Sequence, residues 1–290
     1  MTCVQAKPHC WGICSWAIDR HDVLAALNAA AQVPLIDSVQ LGFFSEAALR
    51  QAKAMDIGRA AARVALAGVF LAFEGEDYAS VQSIARTGGY APDDAFERRL
   101  ELTIVAGKLA QACGCHTLAL HVGTIPDTDS HPDFAKLRDR TRLAADRLAA
   151  DGISLLLETG RESASALLLF IRALDRSNVG VNFDPANFVV YGSDDPRTAA
   201  GQLSTFVRVV HVKDARYSAR PGAEFGSPAA MGEGDAGLRE CLQELLATGF
   251  RGPLLIELSR REAGIVGVRG ALRTAGSWPS GPCPVDMGKP

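Results

Sequence analysis

The sequence predicts a single α/β domain of the (β/α)8 TIM-barrel type. Three observations predict it. Short apolar runs recur eight times between longer helical patterns, the alternation that builds a parallel sheet flanked by helices. Several runs are apolar at consecutive positions, as in Leu155, Leu156 and Leu157 or Leu254, Leu255 and Ile256, which means that both faces of the strand are covered. No low-complexity linker divides the 290 residues, so one barrel of about 250 residues fits better than two domains of about 150.

The expected strands are 11–15, 38–41, 68–73, 117–121, 154–158, 180–184, 207–211 and 253–257. The expected helices are 22–32, 45–55 with Ser45 as N-cap, 93–113, 133–150, 162–174, 196–203 and 237–248. Pro196 opens a helix at the position where a missing N–H does no harm, and Gly249 is a natural C-cap. The longest irregular stretches, 75–92 and 215–235, are expected to serve a site or to be mobile. The last 27 residues hold six Gly and four Pro. A final helix is expected to give way there, so that 1–275 form the barrel and 276–290 a Gly/Pro-rich tail.

Composition narrows the function. Thirty Lys and Arg against 33 Asp and Glu give a net charge of −3, so nothing draws the chain to nucleic acid or an anionic membrane. No apolar run approaches the roughly 20 residues of a membrane span, and 1–16 lack the apolar core of a secretory leader. The seven cysteines are scattered and odd in number, as expected of a protein kept in a reducing cytoplasm. Cys113-Gly-Cys115 and Cys10 to Cys14 lack the usual zinc spacing and read as ordinary thiols.

The informative feature is where polar residues end apolar strands. Glu158, Asp184, His211 and Glu257 close the fifth to eighth expected strands. In a barrel those edges lie side by side at the rim that carries active sites. Each residue alone would read as a loop anchor or an ion-pair partner. Three carboxylates and an imidazole converging there would repel one another unless a cation sat among them. An O/O/O/N donor set suits one divalent ion such as Mn2+, Mg2+, Co2+ or Zn2+.

The runs Leu157-Glu158-Thr159-Gly160, Asn182-Phe183-Asp184-Pro185-Ala186-Asn187, His211-Val212-Lys213-Asp214 and Ile256-Glu257 resemble signatures of the xylose-isomerase-like TIM barrel superfamily. The likeness is strongest to its sugar phosphate isomerase/epimerase branch. Met231-Gly232-Glu233-Gly234-Asp235 and His121-Val122-Gly123 are similar to that branch too. The resemblance implies that Glu158, Asp184, His211 and Glu257 are the single-metal ligand set of ketose 3-epimerases, with the two glutamates also acting as acid and base. One glutamate removes the proton next to a carbonyl, the metal steadies the enediolate, and the other returns a proton. It also implies a small carbohydrate as substrate, and it leaves a dimer or tetramer open. Two positions depart from the epimerase pattern. Asn187 stands three residues after the Asp ligand in place of a His, and Arg216 follows the His ligand by five residues where the epimerases have an Arg at six. Asn187 can still donate to a sugar oxygen.

Around this set, His121 and Trp16 are expected to contact substrate, with Phe43 beside Trp16 in an apolar wall. Lys213 is expected either to bind a substrate anion or to pair with Asp214 or Glu233. Glu233, between two glycines, reads as a loop organiser. The same site could run inosose dehydration or hydroxypyruvate isomerisation, since both begin at a carbon next to a carbonyl. Two other readings compete. A DNA-repair endonuclease would need more His than the six present. A non-catalytic sugar-binding barrel would not need both glutamates.

Overall fold

The computed structural model describes residues 11–278. The barrel strands are β1 (Trp11–Cys14), β2 (Ile36–Phe43), β3 (Ala65–Leu71), β4 (Thr117–Leu120), β5 (Ser154–Glu158), β6 (Val179–Phe183), β7 (Val207–Val212) and β10 (Leu254–Ile256). A short antiparallel hairpin of β8 (Asp214–Arg216) and β9 (Ser227–Ala229) intervenes before the last of them. Every neighbouring pair of barrel strands is parallel, and β1 pairs with β10 to close the cylinder. The helices are α1 (Val23–Ala30), α2 (Glu46–Gln51), α3 (Ala54–Ala60), α4 (Val81–Thr87), α5 (Phe96–Ala112), α6 (Pro132–Ala149), α7 (Ala164–Leu174), α8 (Pro185–Tyr191), α9 (Pro196–Leu203), α10 (Leu238–Ala247) and α11 (Ile265–Ala275).

Consecutive apolar residues divide between two cores. Leu155 and Leu157 face the helices in the large outer cluster. Leu156 points into the barrel with Cys14, Trp16, Ala67, Phe70, Ala119, Val209 and Leu255. Alternation along a strand covered on both faces produces this split.

Three expectations are corrected. The helix expected over 45–55 is two. Ser45 caps α2 through Oγ to Ala48 N at 3.2 Å, but Ala52 turns extended at ψ 131° and Lys53 starts α3. The stretch 75–92 is not irregular throughout, because Ser80 and Ser83 form a reciprocal capping box that starts α4. The stretch 215–235 carries most of the β8–β9 hairpin. Its organiser is Asp214, whereas Glu233 is exposed. Asp214 Oδ2 accepts the amides of Gly232 and Gly234, each at 2.9 Å. Its Oδ1 accepts those of Ala215 and Ala236. A Cβ at Gly234 would stand 2.2 Å from Asp214 Oδ1, so this approach requires glycine. Asp214→Ala should destabilise the protein by about 1–3 kcal/mol through amides left unpaired, read as a lower urea midpoint at unchanged slope.

Residues 279–290, most of the expected tail, and Cys3, Cys10 and Cys283 lie outside the described residues. Among the described residues no helix is long and apolar enough to cross a membrane.

Candidate metal centre

β5, β6, β7 and β10 are consecutive around the barrel, so their C-terminal ends share one arc of the rim. Glu158 is the last residue of β5, and His211 is the penultimate residue of β7. Asp184 and Glu257 follow β6 and β10 directly. Asp184 is also the N-cap of α8: its Oδ1 accepts Ala186 N at 2.9 Å and Asn187 N at 3.3 Å. Pro185 at the first helical position favours that start. One ligand-capable atom from each of the four residues lies within 4.8 Å of the others. Their side chains are 4, 0, 0 and 13% exposed for Glu158, Asp184, His211 and Glu257.

His211 is oriented by a residue that the sequence reading missed. His211 Nε2 donates to Gln40 Oε1 at 2.7 Å. The Cys14 thiol is directed at the same oxygen from 4.0 Å, which marks that atom as the acceptor. Nδ1 is thereby aimed at Glu158 Oε1, 3.2 Å away, and Glu257 Oε2, 3.0 Å away. With its proton on Nε2, the ring presents a lone pair to two carboxylate oxygens, an arrangement that calls for a proton or a cation between them. Replacing Gln40 with Leu removes the orienting acceptor and should weaken divalent-cation binding about 10–100-fold, measured by calorimetric titration of Mn2+.

Burial sets the electrostatics of this pocket. It pushes Asp184 up to about 6 against the pull of Lys213. It also opposes ionisation of Glu257, but Lys213 and His211 more than reverse it and hold that carboxyl well below its usual range. Burial opposes charge on Lys213 as well, yet Glu257 and Asp184 raise its pKa well above that of an ordinary lysine. For His211, burial is outweighed by Cys14 and Glu158, and its pKa lies well above the imidazole norm. Burial also drives the Cys14 thiol up to about 12. That thiol is neutral near pH 7, so of these two partners the Glu158 carboxylate supplies the charge that acts on His211. Cys14 also converges with His211 and Glu257, but a soft thiol suits a cation held by three carboxylates less well than a fourth hard donor does.

The donor set fits a divalent cation. Two buried carboxylates and one partly buried one face one imidazole and one lysine, and Glu158 Oε2 has no hydrogen-bond partner. His121 Nε2 stands 3.3 Å from that oxygen but off the hydrogen-bonding line. Asn182, on the same face of β6 as Asp184, is fully buried with both side-chain polar atoms unpartnered. Buried polar atoms in this state mark a place where a group beyond the protein belongs.

The remaining expected site residues divide. His121 lies at the rim beside Glu158. Trp16 forms the apolar wall, with its ring 5.7 Å from that of His211. Its companions are Phe44 and Phe70, whereas Phe43 is buried in the outer core. Strand alternation decides this, and Gly42 makes the room, since a Cβ there would lie 2.3 Å from the Trp16 ring. Asn187 is buried, and its Nδ2 donates to Thr159 O at 2.8 Å, so the amide braces the loop after β5. Lys213 pairs with neither Asp214 nor Glu233. Its Nζ sits 2.9 Å from Glu257 Oε1 and 3.4 Å from Asp184 Oδ2, because a residue two past His211 projects to the same face of the chain. Arg216 is exposed on β8.

The sequence matches the family described as xylose isomerase-like TIM barrel over residues 36–275. Among solved structures it is similar to a xylose isomerase domain protein from Planctomyces limnophilus, at 30% identity over 92% of this chain and 96% of that one, with a TM-score of 0.82. A xylose isomerase-like TIM barrel protein from Mycobacterium smegmatis in complex with magnesium is 15% identical over 95% and 99% of the two chains, with a TM-score of 0.68. D-Allulose 3-epimerase from Methylomonas sp. in complex with D-allulose is 16% identical over 92% and 90%, with a TM-score of 0.65. No curated protein matches the sequence.

Proposed function

The chain belongs to the xylose isomerase-like TIM barrel family, and from that premise we propose that it is a divalent-metal-dependent sugar isomerase or epimerase that moves a proton at a carbon next to a carbonyl. The observation that carries this reading is the convergence of Glu158, Asp184, His211 and Glu257 at one end of the barrel. The fold shared with an epimerase and with a magnesium-binding relative is consistent with it.

Those four residues would hold the ion. Bound there, it supplies Lewis acidity to a substrate oxygen, which makes the neighbouring C–H acidic enough to break. The protein's own groups do the rest. Each glutamate turns one oxygen toward His211 Nδ1 and keeps the other for a different task. Glu158 Oε2 has no hydrogen bond and is the oxygen open to take the proton from carbon. Glu257 Oε1 lies 2.9 Å from Lys213 Nζ, so the ammonium fixes the carboxyl through which the proton is returned on that side. Lys213 and His211 keep Glu257 ionised between turnovers. In the reverse direction the two glutamates exchange roles. Trp16, Phe44 and Phe70 close the apolar side of the pocket, where exclusion of water strengthens each of these interactions.

Incubation of the Mn2+-loaded protein with a panel of ketoses, inososes and hydroxypyruvate in D2O tests the reading. Deuterium uptake without an unsaturated product is the expected result. Uptake with an unsaturated product would identify a dehydratase on the same site, and no uptake from any of them would refute proton transfer.

A further inference from the structure

The cleft that opens onto Glu257 and Lys213 has a volume of about 1060 Å³, at the upper end for small-molecule sites. Its far wall is basic. Arg20 comes from the loop after β1, and Arg260 and Arg261 come from the segment after β10. β1 and β10 are parallel neighbours, so the chains leaving them run side by side, and Gly264 N clamps them by donating to Ala17 O at 2.7 Å. The Arg20 guanidinium lies 3.5 Å over the Phe44 ring. Stacking of this kind fixes the plane of the fork and leaves its edge free. Arg20 is half-buried and close enough to Arg260 to feel its charge.

Among the described residues none of these three guanidiniums makes a hydrogen bond or an ion pair. Arg50, Arg98, Arg140 and Arg176 elsewhere are each matched to a carboxylate. The acids near the basic wall have other partners. Glu262 accepts from Ser259 Oγ at 2.7 Å, Glu257 faces Lys213 and His211, and Asp19 holds the amides of His21 and Asp22. Unpaired like charges gathered on one wall of a cleft, with a planar fork held ready, are how a protein receives an anion.

We propose that Arg20 and Arg260, with Arg261 at the rim, bind a terminal anionic group of the substrate, a phosphate monoester or a carboxylate, while its reacting carbon lies between Glu158 and Glu257. The proposal rests on the proton-transfer reading above and names the substrate class for it.

Two readouts test it. The first is deuterium exchange on D-fructose, D-fructose 6-phosphate and D-fructuronate, with wild type, Arg20→Gln and Arg260→Gln compared. An anionic ketose should be preferred, and each variant should lower kcat/KM on it about 10–100-fold, mainly through KM, with a much smaller loss on D-fructose. Preference for the 6-phosphate identifies phosphate, and preference for fructuronate identifies carboxylate. Preference for D-fructose, or equal losses on all three, would overturn the proposal. The second readout is calorimetric binding of inorganic phosphate, with Arg59→Gln as a distant control. Weakening by about tenfold or more in Arg20→Gln and Arg260→Gln upholds the anion site even if no ketose exchanges, in which case only the isomerase reading falls. Unchanged phosphate binding in both variants refutes the site, as does the absence in wild type of both phosphate binding and a preference for fructuronate.

Discussion

Replacing Glu158 or Glu257 with Gln should each lower the rate of deuterium exchange by about 10²–10⁴-fold, the usual contribution of a positioned acid or base. Gln keeps the volume of the side chain and one oxygen donor, so circular dichroism and thermal melting should stay close to wild type. Loss of chemistry and loss of metal are separated by titrating Mn2+ into each variant and assaying at saturation. At Glu158 the lost group is Oε2, which makes no hydrogen bond and stands 3.3 Å from His121 Nε2. At Glu257 it is the oxygen facing Lys213. If either variant exchanged near the wild-type rate with metal saturating, the two-carboxylate scheme would be wrong.

Lys213→Met should act in opposite directions on binding and catalysis. Lys213 Nζ lies among the ligands, 2.9 Å from Glu257 and 3.4 Å from Asp184, where its charge competes with a divalent cation. Removing it should tighten Mn2+ binding, because three carboxylates then face the ion unopposed. The metal-free protein should lose stability, by about 3 kcal/mol at most because Lys213 is partly exposed, and added Mn2+ should restore it. Exchange should nonetheless fall, since Glu257 loses the ammonium that positions it. Denaturant melts with and without metal, together with the exchange rate, read all three effects. Weaker metal binding in this variant would contradict the placement of Lys213 as a competitor and would instead make it a support of the ligand set.

The barrel was legible because its evidence is local. Each strand carries its own apolar run, and each of Glu158, Asp184 and Glu257 stands within one residue of a strand end. The split of 45–55 into two helices was not legible, since Ala52 and Lys53 are neither Gly nor Pro. The start of α8 carried a readable sign in Asp184-Pro185, an N-cap followed by a first-turn proline. Gln40 is a different case. It is the polar residue between Val39 and Leu41 in a buried strand, which flags it, but its partner His211 is 171 positions away, and only closure of the barrel brings them together. The same holds for Lys213, where a sequence neighbour, Asp214, was the natural partner to expect. Asp214 is occupied instead by four backbone amides of the following loop. The Arg20–Arg260 wall was equally invisible, because it depends on β1 pairing with β10.

Four residues from four adjacent strand ends should take one divalent cation. The measurement that tests it most directly is a crystal structure of the Mn2+-soaked protein with anomalous data at the manganese edge. One strong anomalous peak bound by Glu158, Asp184, His211 through Nδ1 and Glu257 is expected, with Lys213 moved off Asp184 and still paired with Glu257 Oε1. A peak elsewhere, or none at this site with Lys213 still bridging Glu257 and Asp184, would contradict it.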